Sequence, residues 1–124
     1  HELLVLYKRL ANCDSQEALD GLHEELIDRF GLLPDAARVL LETHRLRVQG
    51  KPLGIARIDA APEHVTLQFV PDPPIDAQRI IKLIQTRREY QLAGPDRLKV
   101  TRPMPQVSDR LARIRETFKE LSGK

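Results

Sequence analysis

The sequence predicts an α+β fold, with N-terminal helices followed by a small antiparallel sheet that has helices packed on one face. Three observations carry this expectation. Apolar residues recur at helical spacing through residue 50. From Gly54 the period shortens to two, with Val65, Leu67 and Phe69 alternating with Thr66 and Gln68. Turn clusters of proline, glycine and aspartate, PDPP at 71–74 and GPD at 94–96, then divide the second half into short segments.

Each element has its own signal. ELLVLYKRLAN (2–12) reads as a first helix with Leu3, Leu6, Tyr7 and Leu10 on one side. Asp14 or Ser15 caps a second, whose apolar positions are Ala18, Leu19, Leu22, Leu26 and Phe30. Gly31 stops it, because glycine takes a positive φ without a steric cost. Pro34 stands where a first-turn proline is tolerated, and a third helix runs through Ala37, Leu40, Leu41 and Leu46 to Gly50. GIARIDA (54–60) is the partner strand of 65–69, with APEH turning the chain between them. Asp76 caps a helix through Ala77, Ile80, Leu83 and Ile84, and YQLAGPDRLKVT (90–101) forms a hairpin. After Pro103 and Pro105, the positions Val107, Leu111, Ile114, Phe118 and Leu121 space along a last helix.

Composition narrows the class. A chain of 124 residues buries a core as one domain, and 41% hydrophobic with 31% charged residues is ordinary for a globular protein. No apolar run approaches the roughly 18 residues of a membrane span and no signal peptide is evident, so a cytoplasmic home is expected. The single Cys13 forms no internal disulfide, which fits a reducing compartment. His1 reads as a remnant outside the natural sequence. The glycines are isolated and make no phosphate-binding loop. His1, His23, His44 and His64 lack metal-ligand spacing, and Cys13 has no nucleophile's setting. Neither catalytic residues nor a cofactor or metal site is expected.

Charge is distributed unevenly. Between Asp14 and Phe30 six acids (Asp14, Glu17, Asp20, Glu24, Glu25, Asp28) face Arg29 alone, although the chain is +2 overall. At about 100° per residue, Leu19, Leu22, Leu26 and Phe30 fall on the core side of the second helix. Glu17, Gly21, Glu24 and Asp28 fall opposite, with Glu25 and Arg29 flanking the apolar stripe. Acids near a helix C-terminus oppose its dipole, and no basic residue at i+4 neutralises this ridge. A solvated helix face is the ordinary reading of such a stripe; a dock for an arginine-rich surface is the other. The bases after Arg38, including Arg45, Lys51, Arg57, Arg87, Arg88, Arg110, Arg113 and Arg115, offer an alternative, a small DNA-binding module. Few aromatic residues remain to stack on bases, since Tyr7, Phe30, Phe69 and Phe118 fall on apolar stripes.

The set YKRLA (7–11), ELIDRFGLLP (25–34), LGI (53–55) and LAGPDRLK (92–99) resembles the C-terminal domain of the bacterial transcription-repair coupling factors, the Mfd proteins. The resemblance covers most of the chain in order. It implies a single C-terminal regulatory domain of a larger cytoplasmic protein, an ATP-dependent DNA translocase that acts on stalled RNA polymerase. It implies that this domain is non-catalytic, docks on the UvrB-like N-terminal module of the same protein, and hides that module's UvrA-binding surface. Carried over residue by residue, the docking positions are Glu25, Asp28 and Arg29, with Glu17 and Glu24 as secondary candidates. Leu26 and Phe30 match too, but their spacing reads as core.

Overall fold

A computed structural model describes residues 2–123, with side chains from residue 4 onward. His1 and the side chain of Leu3 lie outside the described residues. The chain forms two compact units, residues 1–49 and 50–124.

The first unit is helical: α1 (Glu2–Ala11), α2 (Gln16–Phe30) and α3 (Asp35–Gly50), whose last residue begins the second unit. The α2 start is set by Ser15, whose Oγ accepts a hydrogen bond from the Ala18 amide at 3.1 Å. Gly31 ends it at φ +73°, with its amide donating to the Ile27 carbonyl at 2.8 Å. The core is almost entirely aliphatic: Leu6 and Leu10 from α1, Leu19, Leu22 and Leu26 from α2, Ala37, Leu41 and Val48 from α3. Full burial of a leucine contributes roughly 1.5–3 kcal/mol, so this cluster holds the three helices together without any staple.

The second unit enters through one 3₁₀ turn, Lys51–Leu53, and Gly54. Gly54 sits at φ +80°, and a Cβ there would stand 2.6 Å from the Pro73 side chain, so only glycine fits. Strands β1 (Ile55–Ala60), β2 (His64–Phe69), β3 (Tyr90–Gly94) and β4 (Arg97–Thr101) form one antiparallel sheet in the order β1-β2-β4-β3. Helix α4 (Ala77–Thr86) lies between β2 and β3, and α5 (Val107–Ser122) follows β4. Asp76 caps α4 as expected, its Oδ1 accepting from the Gln78 amide at 2.9 Å. The alternation of β2 buries Val65, Leu67 and Phe69, and β4 adds Leu98 and Val100 on the same face. On that face Leu83 of α4 and Ile114, Phe118 and Leu121 of α5 complete the core. The Tyr90 hydroxyl and Thr117 Oγ1 share a buried hydrogen bond at 2.8 Å, joining β3 to α5.

Three positions of the helical unit read as core stand outside it, and Ala77 and Val107 of the sheet unit, placed on apolar stripes, are exposed as well. Tyr7, Ala18 and Phe30 are exposed. On α1 the buried pair is Leu6 and Leu10, one turn apart, and Tyr7 is rotated by about 100° from Leu6. Ala18 lies at the edge of a stripe centred on Leu22 and Leu26. Phe30 continues that stripe into the last turn of α2, where it walls an open groove.

Candidate functional site

Asp14 precedes α2, and the five acids on that helix separate into two groups once the helices are assembled. Both carboxylate oxygens of Glu25 accept from the Arg9 guanidinium of α1, Oε1 from Nη2 at 3.0 Å and Oε2 from Nη1. Asp20 accepts from Arg45 of α3 at 2.7 Å and from Gln16 at 3.1 Å. These two acids fasten α2 to its neighbours. Glu17, Glu24 and Asp28 are exposed and make no hydrogen bond or ion pair among the described residues. The ridge of Glu17, Glu24 and Asp28 is thus unneutralised among the described residues, as its spacing suggests, whereas Asp20 and Glu25, which lie off it, are paired. Their partners lie 25 and 16 residues away, on other helices, where a search at i+4 does not reach.

Electrostatics follow this division. The hydrogen bonds from Arg9 hold the Glu25 carboxyl below the ordinary carboxylate range; partial desolvation opposes them, and the charges of Arg9 and Arg29 add to them. Arg9 is correspondingly raised, chiefly by the same hydrogen bonds. Arg29 points elsewhere: its guanidinium carbon lies 5.7 Å from the centre of the Phe30 ring. Of the three expected docking residues, Asp28 thus faces outward on the acidic stripe with Glu17 and Glu24. Glu25 faces α1, and Arg29 borders the apolar end of α2.

Arg29 adjoins a groove that helical spacing alone does not reveal. Val5, Leu6 and Arg9 of α1, Leu26, Arg29 and Phe30 of α2, and the segment Leu32–Pro34 with Ala37 enclose a groove of about 680 Å³. Leu32 is 99% exposed and Phe30 56%. The sequence signal was the run LLP directly after Gly31, two leucines placed beyond the end of the helix that would have buried them.

The bases proposed for phosphate contact are largely engaged. Arg38 pairs with Asp35, Arg45 with Asp20, and Arg57 with Asp59 at 3.2 Å. Arg87 meets Glu89 at 2.9 Å, Glu120 at 3.2 Å and Glu116 at 3.6 Å, with its guanidinium over Tyr90. Burial alone would lower Arg87, but the Glu89 hydrogen bond and the surrounding charges outweigh it and leave it raised. Arg113 is buried beside Glu116, and Arg110 donates to the carbonyls of Met104 and Pro105. Among the described residues no group of three His, Cys, Asp or Glu side chains gathers to hold a metal, and no helix is long and apolar enough to cross a membrane.

A sequence model of the TRCF domain family matches residues 1–80, more than half of the chain. The chain belongs to the TRCF domain family. It is 36% identical over 119 residues to the transcription-repair-coupling factor of Escherichia coli, which covers 95% of this chain and 10% of that protein. The factor of Haemophilus influenzae is 39% identical over 112 residues, covering 90% of this chain and again 10% of the relative. The chain thus spans about a tenth of the length of these curated relatives. A crystal structure of the C-terminal domain of a transcription-repair coupling factor matches the fold with a TM-score of 0.64 at 22% identity, over 98% of this chain and 81% of that one. The resemblance drawn from YKRLA, ELIDRFGLLP and LAGPDRLK is thereby established as family membership. The helix carrying Glu17, Glu24, Glu25, Asp28 and Arg29 lies inside the matched TRCF segment.

Proposed function

We propose that this TRCF domain is a non-catalytic, autoinhibitory C-terminal module of a transcription-repair coupling factor. It docks on the UvrB-like N-terminal module of the same protein and masks the UvrA-binding surface until the translocase engages stalled RNA polymerase. On this reading the parent is a cytoplasmic ATP-dependent DNA translocase of nucleotide-excision repair that binds DNA, RNA polymerase and UvrA, and residues 1–124 act as one regulatory domain without a cofactor.

The observation that supports it is the unpaired stripe Glu17–Glu24–Asp28, in a segment shared with the family. Glu24 and Asp28 are like charges at i,i+4 near a helix C-terminus, an arrangement that costs the free domain a few tenths of a kcal/mol. A basic partner surface removes that cost on docking. A polar interface also suits a switch, because docked and undocked states must lie within a few kcal/mol of each other for a second ligand to exchange them. Asp28 is the direct contact, Glu24 and Glu17 extend it, Arg29 meets a partner carboxylate, and Glu25 contributes through its paired Arg9.

The test is capture of UvrA by the full-length parent. Glu25→Ala with Asp28→Ala is expected to raise UvrA binding while the domain keeps its helical circular dichroism. UvrA binding equal to that of the unmodified protein would remove the docking assignment. Arg9→Gln is the control for Glu25: if it reproduces the Glu25→Ala effect, Glu25 acts by holding α1 against α2 and not by touching the partner.

A further inference from the structure

We infer that the groove between α1, the last turn of α2 and the Leu32–Pro34 segment is a second docking surface. Its occupant is an amphipathic helical segment of a partner protein, with aliphatic anchors one turn apart and carboxylates beside them.

The groove is built for an apolar ligand. Its floor is Leu6, Leu26 and Ala37, which belong to the core cluster, and Val5, Phe30 and Leu33 rise around it. A volume of about 680 Å³ falls in the range of formed binding clefts and accepts several aliphatic side chains. Val5, Phe30 and Leu32 line the groove and are exposed, and apolar side chains gathered in this way mark an interaction site. Leu32 is nearly fully exposed on the rim, so a partner broader than a single alkyl chain is needed to cover it and fill the groove together. A helix laid into the groove does both, presenting residues at i, i+3 and i+4 on one side.

The charge of the occupant follows from the rim. Among the described residues the only charged side chains lining the groove are Arg9 and Arg29. Arg9 is partly neutralised by Glu25, whereas Arg29 makes no ion pair among the described residues and is held over the Phe30 ring. Glu17, Glu24 and Asp28 do not line the groove. A carboxylate beside the anchors meets Arg29, and a lysine there is repelled. The helical unit thus carries two surfaces of opposite preference, an acidic stripe for a basic partner and a basic-rimmed apolar groove for an acidic amphipathic one. The second does not depend on the first, and Arg29 borders both.

The test uses the chain itself and fluorescence anisotropy. The probe is a labelled helical peptide of about 16 residues, long enough to hold helical structure, with leucines at i, i+4 and i+7 flanked by glutamates. Its twin carries lysines in place of the glutamates. The glutamate peptide is expected to bind in the micromolar range and the lysine twin about tenfold or more weakly. Leu32→Ser and Val5→Ser, at exposed positions that leave the core intact, are each expected to weaken binding by about fivefold or more. Equal affinity of the two peptides overturns the charge assignment, and binding unchanged in both serine variants overturns the groove. Absence of binding by either peptide overturns the inference as a whole. Concentration-dependent dimerisation of the chain that Leu32→Ser abolishes makes a second copy the occupant and also overturns it. UvrA is absent from this experiment, so its outcome is separate from that of the docking proposal.

Discussion

The helical unit and the sheet unit distribute their side chains differently. In residues 1–49 the buried groups are aliphatic, the ionic contacts between helices are exposed, and Leu4, Val5, Tyr7, Ile27, Phe30, Leu32 and Val39 face solvent. In residues 50–124 polar groups enter the core, where Tyr90 and Thr117 bond to each other and Arg113 is buried, while the half-buried Arg87 gathers three carboxylates at the surface. Buried hydrogen bonds specify one arrangement because each donor and acceptor would be costly unpaired. The sheet unit therefore invests its polar chemistry in its own interior. The helical unit keeps the acids Glu17, Glu24 and Asp28 and several apolar side chains on its outside.

The largest expected effects test whether both units have true cores. Leu19→Ala in the helical unit and Leu67→Ala in the sheet unit should each cost about 2–5 kcal/mol in denaturant unfolding, since both side chains are almost completely buried. A cost under about 1 kcal/mol at Leu19 would mean that the helical core is loosely packed and the contrast is misdrawn. Gly54→Ala is next, with an expected loss of about 1–3 kcal/mol from positive φ and the clash with Pro73. Its melting temperature against that of Gly21→Ala, where nothing lies within 4 Å, isolates the strain.

Smaller effects should differ in sign between the units. Tyr90→Phe removes the buried bond to Thr117 and should cost about 1 kcal/mol. Asp28→Asn in the helical unit should do the reverse, stabilising by a few tenths of a kcal/mol through relief of the helix dipole. Both are read by chemical denaturation; a destabilising Asp28→Asn would show that Asp28 has a structural role and is not held in reserve for a partner. The smallest effect is in acid. The folded-state pKa of Glu25 is depressed, so its contribution is present at neutral pH and lost as pH falls through the carboxylate range. Glu25→Gln should flatten the fall of stability with acidification over that interval, measured as melting temperature against pH.

What the sequence disclosed and what it withheld differ in range. Ser15, Gly31, Asp76 and the GPD turn act within a few residues of themselves, and each stands where local chemistry placed it. The alternation of Val65, Leu67 and Phe69 was also legible, because the two faces of a strand are decided by neighbours along the chain. The pairing of β2 with β4 and the ion pairs of Arg9 and Arg45 were not, since they join residues that only the fold brings together. Phe30 shows the limit of periodicity. A helical wheel gives the direction of a side chain but not whether another element extends far enough to cover it.

The strand order β1-β2-β4-β3 has a kinetic consequence. His64 faces Thr101 and Gln68 faces Arg97, so the central pairing must close over α4 and β3 before the ladder is complete. Closing such a segment costs chain entropy before any contact repays it, and proteins rich in such pairings fold slowly. The three helices of the first unit are joined by short connections and precede the sheet in order of synthesis. On the ribosome the helical surface with its acidic stripe and open groove is therefore finished first, and exposed leucines meet solvent while β4 is still being made.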